Sequence, residues 1–348
     1  MKDTLLLEEE KIISLIKEKT ASLNVNNITR TKAYLDFYIK HPTIHWSFLA
    51  HMVSRNAGWN MTDLKGELLR RMLSEKEQEA FFSFMERANW LIFQDAFPQL
   101  LLYEESLRKG KPLYHLLHSL KVSTFMETIW NQLWERHDPY ILTTALIVNE
   151  QNYIEDRVVN NPYYQKQVIH TMEFKLQDFF SFNHILFPYT KSGIVHFTGQ
   201  TVHLFDELNE RILLGKRLYT LLFQNASWLR QVVHWAVNNE HTGSRKDYWP
   251  HIFSQLYENN PSLPYQLKLS NGKLRTGASK FYSPVLQYAW NNRMHVASED
   301  GDWYGEPTVI DYLLDDKKKV DGEIKKEYCH SLEKLELAVV AKSMLLLE

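Results

Sequence analysis

The sequence predicts a mainly α-helical protein, a multi-helix globular bundle whose C-terminal half contains a small β-hairpin and several loops. Three observations favour this fold class. Glycine (12) and proline (11), which interrupt helices, are scarce among the 348 residues. Apolar residues recur at helical spacing through much of the chain. An Asn-Gly pair between two alternating runs at 265–277 is typical of a two-residue hairpin turn.

The first half of the chain divides into helices at recognisable start and stop residues. His41-Pro42 ends one helix, since the residue before proline leaves the α region. Ser74 is the expected N-cap of a long helix that ends before Gly110 and can bend at Pro98. The predicted helices of this half comprise residues 5–20, 29–39, 44–57, 60–73, 75–109, 112–120, 123–136, 139–159 and 165–182.

A break is predicted between two of these helices. Gly58 stands in the C′ position expected after the helix 44–57. Asn60 is then read as the N-cap of the next helix, with Asp63 at its third position beside the positive end of the helix dipole.

The pattern loosens after residue 182. Residues 184–200 contain Pro188, Gly193 and Gly199 and are compatible with either a loop or an irregular hairpin. The further predicted elements are helices at 202–223 and 226–240, the hairpin at 265–277, a helix near 283–291, a loop at 298–307, and helices at 308–314 and 320–347. The length fits one large domain over 1–348, with a sub-boundary near 183–201 that would divide a helical core (1–182) from a helical part carrying the hairpin (202–348).

Composition excludes several classes of protein. The net charge is −2, so no overall basic field indicates nucleic acid binding. Cys329 is the one cysteine, which excludes an intrachain disulfide framework and a Cys-based zinc site and suits a reducing compartment. No signal-peptide pattern is present, and no apolar run reaches the ~18 residues expected of a transmembrane helix. We expect a cytoplasmic protein.

The stretch from Asn89 to Tyr103 poses a problem of buried charge. Its only formal charge is Asp95, which is surrounded by apolar residues on every helical face. Such a helix lies inside a protein, where an unpaired carboxylate is costly. Arg55, which shares a helix face with His51, is a suitable partner because its guanidinium matches a carboxylate. The alternatives are a buried ion pair that fixes helix register, a substrate-anchoring arginine, or an Arg55 that reaches solvent.

Glu150 presents a similar problem, because it follows an uncharged apolar run from Tyr140 to Val148. If Glu150 is partly buried, its pKa is raised and it can act as an acid or base. Alternatively, it marks the point where the helix leaves the core, since Glu155, Asp156 and Arg157 follow.

The segment Glu240–Pro250 combines small residues, hydroxyls and cations. Backbone N–H groups and cations in such a turn can hold a phosphate or carboxylate. The spacing is not that of a P-loop, and the competing interpretation is a helix C-cap at Gly243 followed by an exposed loop. The candidate anion-binding residues are Thr242, Gly243, Ser244, Arg245 and Lys246.

Metal, nucleophile and cofactor chemistry have no signature in the sequence. The 15 histidines form no His-Glu-x-x-His motif, and the Glu-x-x-His motif that a di-iron helical bundle requires twice occurs once, at Glu327–His330. No Gly-x-Ser-x-Gly elbow is present. We therefore predict no metal and no cofactor.

Four segments resemble the YppC-like family of Bacillus and related Firmicutes, a family catalogued as a domain of unknown function. They are HPTIHWSFLAHMVSRNAGWNMTDLKG (41–66), ANWLIFQDAFPQLLLYEE (88–105), ALIVNEQNYIE (145–155) and EHTGSRKDYWP (240–250). The resemblance spans nearly the whole chain and implies a bacterial intracellular protein. It brings no activity, cofactor or catalytic residue.

Two hypotheses of function follow from the sequence. The first is a helical interaction or scaffold protein with an unknown protein partner, in which buried polar pairs specify the fold. The second is an enzyme or small-molecule binder with an interior polar pocket for an anionic ligand. The candidate pocket residues are His51, Arg55, Asp95, Glu150, His241 and Arg245.

Overall fold

Helices make up most of the chain in the computed structural model, as predicted. The structure describes residues 2–171, 184–191, 193–201, 204–257, 265–297, 301–314 and 320–345. The helices of the first half are α1 (Lys2–Leu23), α2 (Asn27–Lys40), α3 (His45–Asp63), α4 (Leu69–Met72), α5 (Glu75–Lys109), α6 (Thr124–Arg136), α7 (Pro139–Ile154) and α8 (Pro162–Tyr164). A 3₁₀ helix covers Tyr114–Leu120, and π-helical turns cover Glu155–Val159 and Gln165–Ile169.

The second half adds α9 (Leu208–Phe223), α10 (Ala226–Asn238), α11 (Leu286–Ala289) and α12 (Lys325–Leu345), with 3₁₀ turns at Arg245–Asp247 and Pro307–Leu313. Some predicted elements extend beyond the described part of the chain. These parts are residues 172–182 of the helix 165–182, residues 202–203 and 346–347 at two further helix ends, and residues 298–300 of a predicted loop.

Helix α5 is the central element of the first half and has the predicted bounds. The Ser74 hydroxyl accepts a hydrogen bond from the Glu77 N–H (3.3 Å), and the Glu77 carboxylate accepts one from the Ser74 N–H (2.6 Å). This is a capping box. Gly110 ends the helix in the left-handed conformation, with φ +65°. The 35-residue helix contains Pro98 and packs against α1, α2, α3 and α7.

Helix α3 runs through Gly58 to Asp63, so the predicted break was wrong. Asn60 lies inside this helix and caps no other. The reason is tertiary, because a Cβ at Gly58 would lie 2.4 Å from Asn27 Oδ1 and 2.7 Å from His241 Cε1. Glycine is placed here to admit two neighbouring side chains rather than to end the helix.

Residues 184–191 and 194–201 form the two strands of a regular antiparallel hairpin rather than a loop. Strand β1 (His184–Lys191) pairs along its whole length with β2 (Ile194–Thr201), and Pro188 stands opposite Phe197. The remaining strands are β3 (Phe253–Ser254), β4 (Leu269–Ser270), β5 (Lys273–Leu274) and β6 (Phe281–Tyr282). β4 and β5 form the predicted hairpin, and positive φ at Asn271 (+53°) and Gly272 (+69°) is typical of a type I′ turn.

One cluster of buried apolar side chains extends from Ile12 to Val339 and draws on most of the helices. Four tryptophans lie fully buried within it: Trp46, Trp59, Trp130 and Trp235. The number of domains stays a prediction. Among the described helices, none has both the length and the apolar character that a membrane crossing requires.

Candidate functional site

A cavity of about 240 Å³ lies between α2, α3, α5, α7, α9 and strand β1. Its wall is mostly apolar and includes Leu49, Val53, Ile92, Ile147 and Leu214. An engineered apolar cavity of about 150 Å³ can hold benzene. The space is therefore sufficient for a small organic molecule with a ring.

Small residues at the contact points keep this space open. Ala50 and Ala57 on α3 and Ala88 on α5 line the cavity without filling it. Gly215 on α9 packs directly against Ile147 on α7, since a Cβ there would lie 2.6 Å from Ile147 Cγ2. The close approach of α9 to α7 closes one side of the cavity, while the alanines leave its centre free.

Glu150 on α7 is half-buried in the wall of this cavity. Its carboxyl group accepts hydrogen bonds from the Gln151 side-chain amide (3.3 Å) and the Trp46 indole, both of which are neutral donors. Among the described residues, no cation forms an ion pair with it. Burial raises the pKa of Glu150 to about 8, despite the two donors, and the nearby Asp95 raises it further. Glu150 therefore carries a proton over much of the neutral range.

The two arginines of the wall already have counter-charges. Arg30 donates to the Glu86 carboxylate at 2.5 Å. Arg211 forms an ion pair with Glu155 and also donates to Gln151 Oε1 at 3.0 Å. Because Arg30 and Arg211 are only 1% and 4% exposed, neither offers a free cation to the cavity.

Asp95 does not pair with Arg55, so that sequence-based pairing was wrong. Asp95 Oδ2 accepts hydrogen bonds from the side-chain amides of Asn149 (2.5 Å) and Gln99 (3.0 Å). The indoles of Trp303 and Trp130 donate to the carbonyl oxygens of these amides, which fixes the orientation of both. Burial raises the pKa of Asp95 to about 7. The hydrogen-bond partners of Asp95 are therefore neutral amides rather than a cation.

Arg55 instead caps the C-terminus of α10. Its guanidinium donates to the backbone carbonyls of Asn239 (2.8 Å) and Glu240 (3.0 Å) and lies over the Trp235 ring at 4.6 Å. The guanidinium also donates to the Ala236 carbonyl (3.4 Å) in the last turn of α10, at the negative end of the helix dipole, which a cation stabilises. The acceptor that Arg55 requires is thus backbone rather than carboxylate.

His51 and His241 lie beside Arg55, and we call these three residues the Arg55 cluster. His51 Nδ1 donates to the Thr31 carbonyl (2.8 Å), and His241 Nε2 donates to Asn27 Oδ1 (2.7 Å). Burial, together with the Arg55 charge, lowers the pKa of His51 to about 3 and that of His241 well below its ordinary value. Both imidazoles are therefore neutral at physiological pH.

Arg245 forms a third group with Asp63. The Arg245 guanidinium pairs with the Asp63 carboxylate, donates to the Tyr328 hydroxyl (2.8 Å) and lies 4.2 Å from the Trp59 ring centroid. Burial raises the pKa of Asp63 to about 6, which the Arg245 charge opposes. Arg245 is 3% exposed, so it serves a buried ion pair rather than an open pocket.

Four backbone N–H donors of the predicted anion-binding loop already form hydrogen bonds within the protein. The N–H groups of Thr242, Ser244, Arg245 and Lys246 donate to side-chain oxygens of Asp247, Thr242, Ser283 and Ser244, respectively. Gly243, with φ +82°, provides the turn that brings these groups together. An incoming phosphate would have to compete with four internal acceptors, one of them the Asp247 carboxylate.

A family model with the description "Protein of unknown function (DUF2515)" matches residues 22–328, which is most of the chain. The chain belongs to this family. A relative in Bacillus subtilis (strain 168), described as "Uncharacterized protein YppC", is 48% identical over 297 residues, which cover 84% of this chain and 83% of the relative. The resemblance found in the four sequence segments is thereby confirmed. No solved structure matches the chain.

The matched range of the DUF2515 family includes every element that lines the cavity. Of the six residues predicted to share a pocket, Glu150 alone lines this cavity, and Asp95 lies close to Glu150. Sequence reasoning missed Arg30, Trp46 and Arg211, because no motif links residues on three separate helices. In the described part of the chain, no three His, Cys, Asp or Glu side chains are placed to hold a metal ion.

Proposed function

We propose that this protein binds a small, largely apolar molecule inside the cavity between α2, α3, α5, α7 and α9. The observation that carries the proposal is a carboxyl group without a cationic partner among the described residues, Glu150, in the wall of a mostly apolar cavity of about 240 Å³. Ligand sites are typically apolar cavities with a small number of polar groups that orient the ligand. The cavity and Glu150 together have that character.

The position of Glu150 beside the cavity supports a ligand-binding site rather than a packing defect. A protein interior is close-packed, and a void between several helices costs stability. Here the void adjoins a carboxyl group whose burial is also unfavourable. A bound ligand would relieve both costs, because it fills the space and offers a partner to Glu150.

An anionic ligand, the alternative raised by the sequence, is less compatible with this wall. Arg30 and Arg211 are engaged by Glu86 and Glu155, and Glu150 would repel a carboxylate or phosphate when ionised. The scaffold hypothesis and its protein partner stay predictions. We also propose a cytoplasmic location, which the single cysteine supports, and cell fractionation with an antibody to the native protein tests it.

The proposal is tested by thermal unfolding of the full chain with small neutral probes such as indole, toluene and phenethyl alcohol. A ligand that binds the folded state alone raises the melting temperature by mass action. We expect a concentration-dependent rise with at least one probe of this size. The cavity-filling variants Ala50→Leu and Ala88→Leu, from two different helices, should abolish it.

The matched control is Ala21→Leu, the same substitution at an exposed position of α1. It should leave the probe-induced rise intact. If no probe raises the melting temperature, or if Ala50→Leu and Ala88→Leu respond to the probes as fully as Ala21→Leu, the cavity is not a binding site for molecules of this class.

A further inference from the structure

We propose that the ligand of this cavity is an organic amine, bound as a cation with its ammonium group against the Glu150 carboxylate. This inference rests on the proposed function and adds the chemical class of the ligand. It follows from the charges of the wall, from the hydrogen bonds that Glu150 already receives, and from the shape that the apolar residues leave.

The charges of the wall leave one negative site unbalanced. Arg30 is neutralised by Glu86, and Arg211 by Glu155. The partners of Glu150 are the neutral Gln151 amide and Trp46 indole. Once ionised, Glu150 is thus the charged group of the wall that lacks an ion-pair partner among the described residues, and a cation is the complementary ligand.

The hydrogen bonds to Glu150 stabilise its ionised form, because both of them lower its pKa. A carboxylate accepts several hydrogen bonds, and the donors from Gln151 and Trp46 occupy part of that capacity. A neutral carboxylic acid would gain less from these donors. An ammonium group brings further donors and a full positive charge, so it completes the coordination that the wall begins.

The remainder of the cavity favours an apolar body on the amine. Val53, Ile92, Ile147 and Leu214 contribute aliphatic surface, and burial of apolar ligand surface against them favours binding. A polyamine with several charges would meet no second unpaired carboxylate among the lining residues. The fitting ligand is therefore a monoamine with a compact hydrocarbon or aromatic part.

Binding of such an amine releases a proton. Free Glu150 is mostly protonated at neutral pH, while an alkyl ammonium ligand already carries its own proton. Formation of the ion pair converts the Glu150 carboxyl group to a carboxylate and transfers its proton to solvent. The apparent affinity then rises by up to about tenfold per pH unit below the pKa of Glu150 and levels off above it.

The titration of other ionisable groups near Glu150 must be distinguished from the titration of Glu150 itself. Helix α2 presents Arg30 and Tyr34, α5 presents Asp95, and α9 presents Arg211; α3 and β1 contribute Trp46, amides and apolar side chains. Asp95 titrates closest to the same range, since burial raises its pKa to about 7. An Asp95→Asn variant should therefore keep the preference for amines, whereas a Glu150→Gln variant should lose it.

The experiment is isothermal titration of the full chain with phenethylamine, phenethyl alcohol and phenylacetate, which differ mainly in their polar group, at about pH 6, 7 and 8. At about pH 8 we expect phenethylamine to bind about tenfold or more tighter than phenethyl alcohol, and the ratio to shrink towards pH 6. Buffers of different ionisation enthalpy should reveal close to one proton released at the lower pH values. Glu150→Gln should equalise the amine and the alcohol, while Asp156→Asn, an exposed acid-to-amide change nearby, should not.

The outcomes distinguish this inference from the proposal on which it rests. Equal binding of the amine and the alcohol overturns the assignment to amines but leaves a neutral ligand in the cavity. Tightest binding of phenylacetate overturns it in favour of an anion. If none of the three binds and the neutral probes also leave the melting temperature unchanged, both proposals are wrong. If Glu150→Gln retains the full preference for the amine, the contact assigned to Glu150 is wrong.

Discussion

The Arg55 cluster and the cavity lie on two faces of the same helix, α3. They differ in whether the buried charged group has a partner: Arg55 has acceptors, whereas Glu150 has no cation among the described residues. His51 and Arg55 lie on the face that meets residues 236–248, where Arg55 has backbone acceptors and both histidines are neutral. Ala50, Val53 and Ala57 lie on the face that borders the cavity, where Glu150 is a carboxyl group without a cation.

This difference shows that burial of a polar group does not by itself mark a functional site. The Arg55 cluster contains strongly buried ionisable groups, yet its contacts are explained by capping a helix and joining two parts of the chain. The cavity combines an uncompensated carboxyl group with space beside it. No contact of the described residues neutralises this carboxyl group or fills this space, and we therefore assign the ligand to it.

The largest expected effect is a loss of stability when a carboxylate with an ion-pair partner is removed, compared with removal of one that has none. Glu86→Gln should lower the free energy of unfolding by about 3–5 kcal/mol, because Arg30 is left buried without its counter-charge. Glu150→Gln should cause no such loss at about pH 8, since it removes a carboxylate that has no cation. Denaturant unfolding followed by tryptophan fluorescence measures both, with Glu10→Gln on exposed α1 surface as the control. Equal losses for the two variants would remove the contrast.

The pH dependence of stability should identify the network around the cavity. Folding raises the pKa values of Asp95 and Glu150 to about 7 and about 8. Their contribution to stability is therefore fully present below about pH 4 and is lost as the pH rises through these values. Relative to the native protein, Asp95→Asn should gain up to about 3 kcal/mol between pH 5 and pH 8. Stability curves that stay parallel across this range would contradict the raised pKa of Asp95.

A substitution in the packed region should be harmful although it is small. Gly58→Ala places a methyl group 2.4 Å from Asn27 Oδ1 and 2.7 Å from His241 Cε1. The hydrogen bond between these two side chains must then shift, at a cost of about 1–3 kcal/mol. Equilibrium unfolding measures this loss. A Gly58→Ala variant as stable as the native protein would mean that this region is as loosely packed as the cavity.

A larger substitution in the cavity should be tolerated, which is the smallest of the expected effects. Ala50→Leu adds three carbon atoms where the wall leaves space, and filling a cavity typically contributes about 0.5–2 kcal/mol. The melting temperature should rise slightly while ligand binding is lost. A marked loss of stability would show that the space beside Ala50 is not available.

Local signals predicted helix α5 to the residue, because Ser74, Glu77 and Gly110 act within one turn of its ends. The same kind of signal wrongly predicted a helix end at Gly58. The role of Gly58 depends on Asn27 and on His241, which is 183 positions further along the chain. The pairing of Arg55 with Asp95 failed for a similar reason. The acceptors of Arg55 are the backbone carbonyls of residues 239 and 240. Every residue has a backbone carbonyl, so no residue type in the sequence identifies these two as acceptors.

The site was partly visible in the sequence. The apolar run before Glu150 was compatible with a partly buried carboxyl group of raised pKa, although it was equally compatible with a helix that leaves the core there. Gln99 lies one turn from Asp95 on the same helix face. The cavity itself could not be predicted, because it is the space left by alanines on two helices and by the contact of Gly215 with Ile147. The engagement of Arg30 and Arg211 by carboxylates on other segments also depends on tertiary structure.

The central claim is that Glu150 is an accessible carboxyl group without a cation, and its pKa tests this claim most directly. Carbon-13 NMR of side-chain-labelled glutamate follows each carboxyl group through a pH titration, and the Glu150→Gln variant assigns the Glu150 resonance. We expect a midpoint of about 8 in the free protein and a lower midpoint with saturating phenethylamine. A midpoint near the ordinary value of 4.5 in the free protein would mean that Glu150 is already solvated or paired, and would contradict the account.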